Sequence, residues 1–153
     1  MKLLKALSDH LRDLRLIDDD RFDSWAEQGT LAPSGRQVIT GSSPITLAYR
    51  LNYTAVLSWE GFTHDAYQLF AEVIHWLTLN CYDFDELGMP SFDVELEDNE
   101  AADIEITINF EESVYTQHTG DAVIVVDSPT PTNAEHVSVC GSKPQVKDDK
   151  AND

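Results

Sequence analysis

The sequence predicts an α+β domain: an antiparallel or mixed β-sheet packed against two main helices, followed by a flexible C-terminal tail. One observation is a hairpin pattern. Phe92, Val94 and Leu96 alternate with Asp93, Glu95 and Glu97, and after a polar turn Ile104, Ile106, Ile108 and Phe110 alternate with Asp103, Glu105, Thr107 and Asn109. Strict period-2 alternation marks a half-buried antiparallel strand. A second is helical spacing of apolar residues in two separate stretches. The third is the loss of any periodicity after Ser128, where Pro, Thr, Ser, Asn, Lys and Asp dominate.

In chain order, Leu3, Leu4, Leu7, Leu11 and Leu14 fall on one helical face, with Lys5, Asp9, Arg12 and Asp13 between them. This is an amphipathic first helix. Asp18–Asp20 either end it or start a short second helical turn carrying Phe22 and Trp25, since an acidic triplet favours a helix N-terminus just after it. Gly29, Pro33 and Gly35 mark loop. Gln37–Thr40 is a candidate short strand, broken by Gly41–Pro44. A long alternating run follows, with Ile45, Leu47, Tyr49, Leu51, Tyr53, Ala55, Leu57 and Trp59 on one face. Its β-branched and aromatic content suits a strand, and its length predicts a bulge or bend. Gly61 breaks it.

Asp65 opens a second helix running to about Asn80, with Ala66, Leu69, Phe70, Val73, Trp76 and Leu77 as its apolar stripe. That stripe must pack on the sheet, because no other element has the apolar area to cover it. After a Gly88–Met89–Pro90 turn comes the hairpin, its strands joined by Asp98–Ala102. Ala122–Val126 predicts a last strand. Residues 1–127 are expected to form one domain and residues 128–153 a flexible tail, on compositional grounds.

The hairpin has one apolar face and one strongly acidic face, bearing Asp93, Glu95, Glu97, Asp103 and Glu105. Like charges side by side on a sheet repel one another, so this face is a candidate functional surface as well as a solubilising one. The whole chain leans the same way. Its 153 residues include 28 Asp+Glu against 10 Lys+Arg, a formal net charge of -18. That balance argues against direct nucleic-acid binding, which needs cations to displace counterions from phosphate, and against an anionic membrane surface. It leaves surfaces that DNA passes without sticking, basic protein partners, and mimicry of DNA.

The chemistry-bearing residues point away from catalysis. The histidines at 10, 64, 75, 118 and 136 are scattered, with no HxH, HxxxH or CxxC spacing to hold a metal. Paired carboxylates on an open sheet face lack the asymmetric surroundings that acid–base work requires. There is no GxSxG, Walker loop or GxGxxG, and neither Asp18–Asp20 nor Asp98–Asp103 completes a calcium loop. No cofactor is expected. Cys81 and Cys140 suggest no disulfide framework, as suits a reducing site of synthesis. Ser8, Asp9, His10 and Arg12 interrupt any N-terminal apolar run, so neither an export signal nor a membrane span is expected. Trp25, Trp59 and Trp76 read mainly as core or near-core anchors; at the strand-to-helix junction, Trp59 and Phe62 are also candidate interface anchors.

Taken in order, these stretches resemble the tail completion protein R (GpR) family of peduovirus-type contractile-tailed phages, related in role to phage tail terminators. The Leu-rich helix leads to Trp25–Gly29, similar to the family's aromatic-then-Gly turn. The long strand passes through Tyr53–Val56. Trp76–Leu77, Asn80 and Asp83 resemble a W-L-x-x-N-x-x-D stretch. Phe92–Asn99 and Asp103–Val114 resemble its strand, D-N turn and strand. Two neighbourhoods where the family often has proline read Ala71–Val73 and Asn80–Asp83 here.

The resemblance covers about Leu3 to Asp127. It implies a tail-terminator-like fold and a structural virion protein of the tail's head-proximal end. Such a protein caps the tube as a homo-oligomeric ring, hexameric by the same resemblance. It terminates tube and sheath assembly and joins the head, with tube, sheath and head–tail connector proteins as partners. DNA passes through without specific binding, and assembly takes place in the host cytoplasm. The alternative reading is an acidic DNA mimic that inhibits a basic DNA-binding enzyme. Same-face residues along a strand lie about 7 Å apart, close to phosphate spacing. A small enzyme is a third reading, which a strongly shifted carboxylate in a cleft would revive, and acidity from a saline host is a fourth source of the charge.

Overall fold

The computed structural model describes residues 1–14, 21–40, 43–81, 84–96, 100–119 and 121–127. The expected tail after Ser128, the triplet Asp18–Asp20 and Glu97 lie outside these residues. The order is α1 (Lys2–Asp13), β1 (Phe22–Thr40), β2 (Ser43–Phe62), α2 (Ala66–Asn80), β3 (Ser91–Leu96), β4 (Ala102–Thr119) and β5 (Ala122–Val126). Every pairing is antiparallel, in the order β1-β2-β4-β3, with β5 on β4 as well. β3 lies along residues 102–107 of β4 and β5 along residues 115–119, so the two short strands share one edge.

Both helices pack on one face of this sheet. Leu3, Leu4, Leu7 and Leu11 of α1 and Leu69, Val73, Trp76 and Leu77 of α2 meet Tyr53, Ala55, Leu57 and Trp59 of β2 and Ile104, Ile106, Ile108 and Phe110 of β4 in one core. Each fully buried leucine contributes about 1.5–3 kcal/mol through the apolar surface it removes from water. The Asp65 carboxylate accepts from Tyr67 N–H and caps α2, as expected of an Asp at that position. Phe70 is half-buried, its ring 4.8 Å from that of Phe92 on β3.

The start of α1 is satisfied from a distance. Met1 supplies no side-chain cap; Glu112 of β4 accepts from Lys2 N–H at 2.9 Å and Leu3 N–H at 3.0 Å. The Tyr53 hydroxyl accepts from Leu4 N–H and donates to the same carboxylate. A buried carboxylate thus sits at the positive end of a helix, where the dipole and unpaired N–H groups favour it. Burial, and then the adjacent Glu112 carboxylate, push the Tyr53 phenol well up from its ordinary value.

The structure corrects three expectations. Phe22 and Trp25 do not begin a helix, and Gly29, Pro33 and Gly35 are not loop: all belong to β1, a 19-residue strand. Phe22, Ser24 and Ala26 face the helices while Asp23, Trp25 and Glu27 face away, a period-2 pattern that the acidic triplet before it obscured. The Gly and Pro residues fall near register shifts between Glu27 and Thr30 and between Pro33 and Arg36. Gly35 there has φ 65, a conformation glycine adopts without penalty, and proline is tolerated because β1 is an edge strand. The second hairpin strand extends past the Asp103–Val114 stretch of the resemblance, since β4 continues to Thr119. Finally, the apolar side of β3 is only partly covered: Val94 packs against the core, but Phe92 and Leu96 are 64% and 82% exposed. The bulge expected in the long strand is present, where pairing of β2 with β4 shifts between Leu47 and Tyr49.

Candidate assembly surfaces

The face of the sheet opposite the helices gathers carboxylates from three strands. One cross-strand row reads Asp23, Ser58, Glu105, Asp93, and Asp103 stands directly opposite Glu95. With strands about 4.8 Å apart, Asp93/Glu105 and Glu95/Asp103 are two directly opposed like-charge pairs, an arrangement that costs stability. Asp93, Glu95 and Glu105 are exposed and Asp103 half-buried. Asp103 is held in place by Gly61 N–H, 2.7 Å from its Oδ1. Gly61 has φ +59, and a Cβ there would meet the Arg21 guanidinium at 2.6 Å, so the backbone that presents this donor requires glycine.

Four of the five acids expected on this face therefore share one surface, and the fifth, Glu97, lies outside the described residues. Asp23 and Glu27 of β1 extend it. Sequence reasoning missed both because Phe22 and Trp25 were assigned to a helical turn; the alternation from Phe22 to Glu27 is the signal that would have found them. Val56 is buried on this same side, with Trp25 opposite it in register. Trp25 is 36% exposed, its indole N–H donating to Glu27, and so is not the core anchor expected of it.

Trp59 and Phe62, candidate interface anchors by sequence, are covered within the chain itself. They are 2% and 7% exposed, and Trp59 stacks on Phe22 with ring centroids 4.9 Å apart. Both side chains join the core: alternation puts Trp59 on the helix-facing side of β2, and the register shift between Trp59 and Phe62 brings Phe62, three residues on, to the same side. Exposed apolar residues lie elsewhere, among them Tyr67, Ile74 and Leu79 on α2, Met89 before β3, Phe92 and Leu96 on β3, Val123–Val125 on β5 and Leu31 on β1.

Both lateral edges of the sheet are open among the described residues. β1 pairs only with β2, and β3 only with β4. The charges are sorted along the chain as well. No Asp or Glu occurs between Glu27 and Glu60, and no Lys or Arg between Arg50 and Lys143. The outer half of the β1–β2 ribbon is thus free of acid and carries Arg36 and Arg50, while α2, β3, β4 and β5 carry no cationic Lys or Arg at all. Among the described residues no group of His, Cys, Asp and Glu is gathered to hold a metal ion, and no helix is long and apolar enough to cross a membrane.

The fold is thus an α+β sheet that presents one acidic face and, among the described residues, two open edges. The chain belongs to the P2 phage tail completion protein R (GpR) family, whose family model matches residues 1–131. This gives it a tail-associated structural role. Comparisons with curated proteins and with solved structures return no match.

Proposed function

We propose that this protein caps the head-proximal end of a phage tail tube as a closed ring, hexameric by its family likeness, stopping tube and sheath growth and offering the surface to which the head joins. The observation that carries this reading is the sheet order β1-β2-β4-β3, open at both edges among the described residues, in a chain of the tail completion family. A strand edge is an adhesive surface, and two different edges on opposite sides of one sheet suit head-to-tail contacts that close into a ring.

The acidic face of Asp93, Glu95, Glu97, Asp103 and Glu105 lines or rims the channel in this reading. Carboxylates there repel phosphate and keep DNA from adhering in transit, over a range of about 8 Å set by physiological salt. The tube, the sheath and the head–tail connector are the partners. Electron microscopy of tails assembled without this protein tests the proposal: overlong or headless tails are expected. Tails of normal length that join heads at the normal rate overturn it.

A further inference from the structure

We infer that the acid-free outer half of β1, Thr30–Thr40, is an arm that lies along β3 of the next copy of the same chain. This rests on the ring reading and assigns the two surfaces that close it. The receiving edge is acidic. Asp93 and Glu95 stand on β3, and Asp85 and Glu86 are exposed in the turn before it. That turn is tied to the same edge by the Asn109 side chain, which donates to the Leu87 carbonyl at 3.0 Å.

Apolar surface is waiting there too. Phe92 and Leu96, on the helix-facing side of β3, are largely exposed beside the half-buried Phe70. The arm offers the complement of both properties. It presents an unpaired strand edge, it is 65% exposed at Leu31, and its ribbon holds the only arginines of the strands, Arg36 and Arg50, with no carboxylate to repel the receiving edge.

A second copy is the occupant that this charge sorting fits. Each chain carries one acid-free arm and one cation-free edge, on opposite sides of one sheet, so every arm finds an edge only when the ring closes. Strand addition satisfies the backbone groups of both edges, and the rest of the acidic face, with Asp103 and Glu105, stays open to the channel.

The test reverses charge on each surface. Asp93→Lys with Glu95→Lys makes one variant, Arg36→Glu with Arg50→Glu the other. Ring formation is followed by native mass spectrometry and by microscopy, with purified tail tubes supplied. Each variant alone should lose at least tenfold in rings relative to wild type, and an equimolar mixture should regain them, since alternating copies set opposite charges at every contact, with the original polarity at half of them and the reversed polarity at the other half.

Should either variant unfold by circular dichroism, a chain with Leu31→Cys, Leu96→Cys and Cys140→Ser decides instead. A short bis-maleimide should link it into oligomers beyond the dimer, because the two thiols meet only between copies. Wild-type rings alongside unaffected variants, alongside a mixture no better than its parts, or without cross-linking overturn the arm and leave the ring reading standing. The second of these outcomes assigns the arm to another tail protein. Absence of wild-type rings on tube ends overturns the ring reading itself.

Discussion

The two ends of the β1–β2 pair are built for different neighbours. From Tyr53 to Trp59 the odd residues of β2 lie under two helices and are almost wholly buried, while in β1 every residue from Glu27 to Gln37 is exposed. The same pair of strands therefore passes from a packed core to a ribbon with no helix over it. Helix cover ends at the row of Leu31, Leu51 and Glu112, where Glu112 receives the start of α1. A two-stranded ribbon is marginal in water by itself; this one is carried by the core at one end and by β4 and β5 alongside. Stability is concentrated in one half, and unspent adhesive surface in the other.

The sharpest way to break that comparison is to truncate each half in turn. Leu77→Ala or Trp59→Ala should cost about 3–5 kcal/mol in chemical denaturation, because each leaves a cavity in the covered half. Phe70→Ala should cost less, about 2 kcal/mol, since its ring is only half-buried against Phe92. A loss as large as that of Leu77 would place Phe70 in the core proper.

At the boundary, Glu112→Ala strands two helix N–H groups and the Tyr53 hydroxyl, and should cost about 2–3 kcal/mol. Tyr53 itself predicts a pH dependence. The folded phenol titrates above its ordinary value of 10.0, so the stability it confers is fully present below pH 10 and declines as pH rises beyond it. Tyr53→Phe should remove that alkaline decline, as followed by urea titrations across pH 9–11. An unchanged slope would put the decline elsewhere.

Smaller effects are expected on the acidic face. Neutralising Asp93, Glu95, Glu97, Asp103 and Glu105 to Asn or Gln should leave the fold intact. It should raise stability by about 0.2–1 kcal/mol for each opposed pair relieved, while lowering the yield of infectious particles. A normal yield would reduce these carboxylates to a solubilising role. The smallest effect belongs to the ribbon, where Leu31→Ser should change the stability of the free chain by less than about 0.5 kcal/mol.

Much of the covered half was readable from residue order alone. The leucines of α1, the stripe of α2 with its Asp65 cap, and the alternation of β2 and β4 each repeat one period long enough to be unambiguous. Of β1 only its last four residues, Gln37–Thr40, were readable as strand, because Gly29, Pro33 and Gly35 are loop residues by local preference. They are accommodated only because a bulged edge strand needs no partner on its outer side. Glu112 escaped notice for a different reason: in sequence it is one more acid among many, and its partners are N–H groups at the other end of the chain. Trp59 and Phe62 show the converse. Aromatic residues at a junction suggest a partner, yet here the helices of the same chain cover them. Of the candidate surface, the acidic alternation of the hairpin was visible, but the contribution of Asp23 and Glu27 required the pairing of β1 with β2.

The clamp on α1 also sets an order of events during synthesis. Lys2 and the carboxylate that holds its backbone N–H are 110 residues apart, so α1, made before every strand of the sheet, is among the last elements to be secured. β1 and β2 are joined by a short connection and can pair early, whereas α1 must wait until β4 has emerged and closed a loop of most of the domain. Until then its leucines have no complete surface to cover, and the nascent chain carries an unanchored amphipathic helix beside a growing sheet. Slow-translating stretches or chaperone contact are therefore expected to matter most before Glu112 is made, and far less after it.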